Sequence, residues 1–366
     1  MPPRLRPTSA STPRRRRSLP SSKPLPKLPS LADLKELWSY RPAVSMPALP
    51  RRRSTEDSRW LLDQRTTGLG GRSYDVYLPA GLRRRSRTPM LLLLHGCTQT
   101  PAEFADATRF TTVADRHGII LVLPRQERRH HNRRCWRWYE SLHQLRGSGE
   151  PAMLAAITRQ VAAEDARWRV DPLRIYVAGL SAGGAMALIM GAAYPDLFAA
   201  AGVHSAPAYR SAGYGGQALR AMAARTTVPP PAPGAAAMVP MLIIQGTADE
   251  VVDPLNGDRV ADQWLAYRAG ASTGEGDPRR VVRTRTDRGR TTDGRRYTRV
   301  RWYTGRRQRV LEYWLVQQLG HAWSGGRPGG SYSDPAGPRA ATLMWSFLRS
   351  HRLDRSVAAT VDRAVG

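Results

Sequence analysis

The chain has 366 residues, 41% of them hydrophobic, which is enough for one large α/β domain with a sizeable core. Its formal net charge of +28 comes almost wholly from arginine, with lysine only at positions 23, 27 and 35. No apolar run approaches the roughly 18 to 20 residues that span a bilayer, and two cysteines outside any CxxC pair exclude both a disulfide scaffold and a cysteine-paired zinc site.

Residues 1–58 are rich in Pro, Ser and Arg, with 13 basic and 4 acidic residues and a block at Arg14–Arg17. Such a composition cannot bury a core, so this tail is expected to be mostly disordered. One short helix is expected near 31–40, capped by Ser30 and placing Leu31, Leu34, Leu37 and Trp38 on one face. No apolar stretch follows the arginine block, so no signal peptide is read and the sequence by itself points to the cytoplasm.

From about Arg59 strands and helices alternate. Strands are expected at 73–79, 90–95, 119–123, 173–178, 198–204 and 241–245. Helices are expected at 101–117, ended by Gly118, at 151–168, opened by Pro151, at 181–194, at 256–268 and at 338–351. Segments near 281–286, 297–303 and 309–317 read as strands with arginine on one face. The alternation predicts an α/β domain over 59–354, with a mostly parallel sheet covered by helices on both faces, followed by a tail at 355–366.

The strongest motif is Gly179-Leu180-Ser181-Ala182-Gly183, a GxSxG pattern between a buried strand and a helix. A tight turn there lifts the Ser181 hydroxyl above the sheet edge and leaves the Ala182 N–H at a helix start, aimed at a developing oxyanion. A serine hydroxyl needs a base. His321, in the glycine-rich loop after VLEYWLV, is favoured over His204, which has no strand-ending acid between itself and Ser181. Asp249, just past the strand MLIIQ, is the acid that would orient the imidazole, with Asp253 as the fallback. The loop after LLLLH can supply the second oxyanion donor, and the Cys97 N–H is nominated.

These motifs, with LLLLHGCTQTPAEFADATRF, CWRWYE, VDPLRIYVAGLSAGGAMA, QGTADEVVDPLNGD and GHAWSGG, resemble the polyhydroxybutyrate (PHB) depolymerase family of esterases over about residues 70–350. The resemblance implies the α/β-hydrolase fold, no metal or organic cofactor, and a Ser181, Asp249, His321 triad hydrolysing carboxylic esters through an acyl-enzyme. Polyhydroxyalkanoate polymer or oligomers are the favoured substrate, and feruloyl or acetyl esters of polysaccharides or short-chain esters are alternatives. It further implies a disulfide between Cys97 and Cys135, and an extracellular setting as the alternative compartment. Trp136, Trp138 and Trp323 are candidate walls of an acyl pocket. The sequence departs from the family pattern at Gln245, where histidine is usual, at Arg137, where asparagine is usual, and in a basic insert at 279–309 with 13 arginines. A reading of another class is a polyanion-binding protein with a silent triad. Against it, no zinc-finger spacing, RNP-like aromatic run or helix-turn-helix pattern accompanies the charge.

Overall fold

The computed structural model describes residues 59–66, 71–80, 82, 87–164, 169–272, 277, 280–291, 294–305 and 307–354. All belong to one of the chain's two units, residues 46–366. The expected helix near 31–40 and the tails at 1–58 and 355–366 lie outside the described residues.

In chain order the elements are β1 (Arg59–Arg65), β2 (Ser73–Leu78), β3 (Thr88–Leu94), α1 (Pro101–Thr108), α2 (Phe110–His117), β4 (Ile120–Pro124), α3 (Gly149–Ala163), β5 (Val170–Leu180), α4 (Ala182–Ala193), β6 (Ala200–His204), α5 (Gly215–Met222), β7 (Met241–Gly246), α6 (Leu255–Gly270), β8 (Val281–Arg290), β9 (Arg296–Thr304), β10 (Arg309–Val316), β11 (Trp323–Ser324), β12 (Ser333–Asp334) and α7 (Ala340–Leu348). A 3₁₀ turn at Ser141–Gln144 sits between β4 and α3.

Among the described residues ten strands form one sheet in the order β1-β2-β4-β3-β5-β6-β7-β10-β9-β8. Its centre, from β4 to β10, is parallel, and antiparallel pairs close both edges. The pleat explains why the central strands are apolar throughout. In β3, Met90, Leu92 and Leu94 pack under α3, α4 and α6, while Leu91 and Leu93 pack under α1, α2 and α7. Among the described residues no helix is long and apolar enough to cross a membrane.

Three local readings need correction. The helix expected at 101–117 is two helices, broken at Arg109, whose φ is 60°. Phe104 and Phe110 would point roughly 120° apart on a straight helix, yet both reach the Trp323 ring, at 5.6 and 5.8 Å. The break makes that packing geometrically accessible. The helix expected from Pro151 starts two residues earlier, at Gly149. The strand expected at 173–178 extends over Val170–Leu180. Strand β1, helix α5 and the short β11 and β12 pair were not among the expected elements.

Candidate active site

Five parallel strands deliver loops to one rim. In spatial order β3 carries His95–Gln99, β5 carries Ser181, β6 carries Ser205, β7 carries Asp249 and β10 carries His321. A site at the carboxyl edge of a parallel sheet follows from strand direction alone, because every such strand points its following loop the same way.

Ser181 caps α4 with φ 56° and ψ −121°, a conformation that non-glycine residues rarely occupy. Its N–H donates to His204 O at 2.9 Å. The turn is fixed by close backbone approach on both sides: a Cβ on Gly183 would collide with Leu94 O, and one on Gly179 with Gly183 O. The β3 loop packs directly on this elbow, since a Cβ on Gly96 would lie 3.7 Å from Ser181 Cβ.

The Gly96 N–H donates to the Gln99 side-chain oxygen at 2.9 Å. The Cys97 N–H meets no acceptor among the described residues. The Ala182 N–H, in the first turn of α4, has no intrahelical acceptor. Two uncommitted amides therefore flank Ser181, the arrangement an oxyanion needs.

Several groups brace the loop. Cys97 is joined to Cys135 by a disulfide. The Trp136 indole donates to His95 O at 3.0 Å. Gln99 donates onward to Ser331 O at 3.0 Å. His95 accepts the Gln126 N–H at Nε2, so its Nδ1–H donates to Gly96 O at 2.8 Å. Burial lowers its pKa to about 4, keeping it neutral. Beneath Cys135, buried Glu150 accepts from Gln126 Nε2 at 2.6 Å and from the Arg137 N–H at 2.7 Å. Burial raises its pKa to about 7.

Asp249 and His321 are in direct contact, with His321 Nδ1 2.9 Å from Asp249 Oδ2 and 3.1 Å from Oδ1. Nδ1 donates there, so Nε2 is left as the basic nitrogen. The Asp249 side chain is fully buried. Burial alone would raise its pKa, but the facing His321 and hydrogen bonds from His321, the Val252 N–H and Ser205 hold it below the ordinary carboxylate range. Asp253, the fallback acid, instead accepts the Leu255 N–H at 2.9 Å at the entry to α6.

His204, the rival base, is fully buried and neutral, its pKa lowered to about 3 chiefly by desolvation. Its Nε2 accepts the Ser324 N–H at 3.1 Å, and Nδ1 lies 3.0 Å from Ser205 Oγ. The ring stacks on Trp323 at 5.1 Å. With both nitrogens engaged it supports the site and is not free to take a substrate proton. Ser205 links it to Asp249, a role that sequence reasoning missed. The only signal was its place immediately after β6. Gln245, at the position where histidine is usual, is buried and donates to Val252 O at 3.1 Å and to Asp249 Oδ2 at 3.3 Å, bracing the acid loop.

The three tryptophans nominated as pocket walls belong to the core. Trp136 and Trp323 are 0% exposed and Trp138 6%. Their rings pack on His95, on His204, Phe104 and Phe110, and on Tyr139. Exposed apolar side chains on the rim are instead Leu142, Leu145, Tyr214 and Leu255.

Comparison with known proteins gives a consistent picture. The family model described as Esterase PHB depolymerase matches residues 72–288. Poly(3-hydroxyalkanoate) depolymerase C of Paucimonas lemoignei is 31% identical over 201 residues, covering 52% of this chain and 47% of that protein. Feruloyl esterase B of Neurospora crassa is 30% identical over 134 residues, covering 37% of this chain and 44% of that protein. Acetylxylan esterase of Coprinopsis cinerea is 30% identical over 159 residues, covering 43% and 38%. The chain thus spans about half the length, or less, of these curated relatives. Among solved structures, an acetyl xylan esterase from Aspergillus awamori superimposes with a TM-score of 0.57 at 17% identity, covering 80% of this chain and 99% of that one. The shared architecture is the α/β-hydrolase fold.

Proposed function

Because this chain belongs to the Esterase PHB depolymerase family, we propose that residues 59–354 form a serine hydrolase of carboxylic esters, acting through Ser181, Asp249 and His321. The observation that carries the reading is the buried Asp249–His321 hydrogen bond, on the same rim as a serine in a strained strand–helix turn. His321 Nε2 takes the Ser181 proton as the hydroxyl attacks the ester carbonyl. The Cys97 and Ala182 amides receive the negative charge on the carbonyl oxygen. His321 then gives its proton to the leaving alcohol, and the acyl group stays on Ser181. Water repeats the sequence in reverse roles, releasing the acid and restoring the serine.

A polyhydroxyalkanoate-type polyester or its oligomers is the substrate we favour. Exposed Tyr214 and Leu255, after β6 and β7, and Leu142 and Leu145, in the segment after the neighbouring parallel strand β4, support it, as an apolar rim suits an aliphatic chain. The feruloyl and acetylxylan esterases among the relatives support a second reading, esters of plant polysaccharides. Ser181→Ala should lower turnover of p-nitrophenyl butyrate at least about a thousandfold. Near-normal turnover in that variant rejects the assignment. A panel of PHB granules, hydroxybutyrate oligomers, feruloyl esters and acetylated xylan separates the two substrate readings.

A further inference from the structure

Strands β8 and β9 form an antiparallel ribbon at the outer edge of the sheet, beyond β10. Because β9 runs against β10, the end of β8 and the start of β9 lie at the carboxyl edge, on the rim that carries His321. The ribbon is fastened there. The Gln317 N–H donates to Arg296 O at 2.8 Å. The Arg295 guanidinium donates to Gln318 O at 2.6 Å and pairs with Asp334. Asp334 belongs to β12, which pairs with Trp323–Ser324 just after His321. One arginine therefore ties the ribbon to both ends of the loop bearing the base.

Most arginines of the ribbon have partners. Arg285, Arg299 and Arg301 share Asp287, and Arg283 lies over the Tyr303 ring at 4.5 Å. The tip differs. Arg288, Arg290 and Arg296 are exposed and form no ion pair or ring contact among the described residues. Their register puts all three on one face, with Arg290 directly opposite Arg296. Like charges directly across a strand pair cost stability. The acids that α6 adds on that face, Asp258 and, one turn further from the rim, Asp262, both lie near Tyr313, which is level with Val300, four residues or roughly 13 Å along β9 from Arg296. Among the described residues the tip is thus a set of bidentate donors with no acid paired to it, the chemistry that binds a carboxylate.

The reaction says which part of a substrate would meet it. His321 protonates the leaving alcohol, so that fragment must lie on the β10 side of Ser181, away from the oxyanion loop on β3. In an oligoester ending in a free acid, the leaving fragment is the one that bears the terminal carboxylate. Hydrolysis puts such a carboxylate on every chain it releases. Strands are spaced about 4.8 Å apart, so the tip lies one to two strand widths outside β10, within reach of a short chain lying across it.

We propose that Arg288, Arg290 and Arg296 form a subsite for the terminal carboxylate of an oligoester, on the leaving-group side of the scissile bond. This rests on the esterase reading and narrows its substrate class to short, acid-ended polyester chains over neutral esters of equal length.

The test compares two 3-hydroxybutyrate tetramers, one ending in a free carboxylate and one in a primary amide. The acid should have the higher kcat/KM, by roughly tenfold at low ionic strength and mainly through KM. The ratio should shrink as salt rises past about 0.1 M, where the screening length falls to roughly 10 Å. Arg290→Gln with Arg296→Gln should bring the ratio close to one. Arg116→Gln with Arg349→Gln removes the same charge from exposed positions at the ends of α2 and α7, on the opposite rim, and should leave it unchanged. Equal kcat/KM for the two tetramers in the unaltered protein at low salt overturns the subsite. So does a preference that persists in the Arg290/Arg296 variant, or one lost equally in the opposite-rim variant. Failure to hydrolyse either tetramer, together with p-nitrophenyl butyrate, strikes the esterase reading itself and the subsite with it.

Discussion

Asp249 receives the N–H groups of Val251 and Val252 on one oxygen and Gln245 Nε2 on the other, with His321 reaching both and Ser205 adding a hydroxyl. So many donors hold the carboxylate ionised and fix its plane, which in turn fixes the imidazole. Asp249→Asn keeps the shape but presents an amide N–H to Nδ1, favouring the wrong tautomer. Its kcat on p-nitrophenyl butyrate should fall by about 10⁴ with the circular dichroism spectrum unchanged. Ser205→Ala acts more gently. Losing the hydroxyl removes one restraint on the carboxylate plane and the partner of His204 Nδ1, so kcat on p-nitrophenyl butyrate should fall several-fold with the circular dichroism spectrum unchanged. The sequence made Ser181, Asp249 and His321 legible as candidates because each follows an apolar strand, and strand ends in a parallel sheet share one edge. Ser205 was illegible for the converse reason: a serine after a strand is common, and only the adjacency of β6 and β7 turns it toward Asp249.

The β3 loop shows how an element acquires precision that it lacks on its own. Residues 95–99 include no helix or ladder, yet the disulfide to Cys135, the Trp136 indole, Gln126 and Gln99 each restrain a different part of it. Replacing both cysteines, as Cys97→Ser with Cys135→Ser, should cost roughly 3 to 4 kcal/mol by the chain-entropy account of a loop this long. The Tm should fall by roughly 10 °C, and kcat should fall further than KM changes, because the Cys97 amide loses its fixed position. Thermal melts and p-nitrophenyl butyrate kinetics on the same preparations check both. Elements were legible where periodicity was strong, as in the all-apolar β3. They were misread where a long-range contact governs the backbone. The break at Arg109 serves Trp323, more than two hundred residues away, and no local pattern reports that. The tryptophans were misplaced similarly: a large aromatic beside a site motif suits a pocket wall and a core equally, and only the surrounding rings decide.

Across the whole molecule, burial of histidine sets how stability depends on pH. His95, His204 and His351 have pKa values lowered to about 4, 3 and 3, in each case first by desolvation. Unfolded histidines titrate near 6.5. Below that pH the unfolded chain binds protons that these three sites refuse until about pH 3 to 4, so their contribution to stability is lost progressively as the pH falls. Glu150 opposes them. Its raised pKa of about 7 means that the folded state holds a proton which the unfolded chain releases above about 4.5, so its contribution favours folding at lower pH. Three histidines outweigh one glutamate between these limits, and the Tm should therefore drop steadily from pH 6.5 to 4.5. Glu150→Gln removes the opposing proton and should make that drop steeper, while His351→Gln, away from the catalytic rim, should make it shallower. Melting curves at three pH values for the three proteins decide the matter: a Tm that is flat, or that rises on acidification, would mean that these imidazoles take up protons in the folded state and are not held neutral by their surroundings.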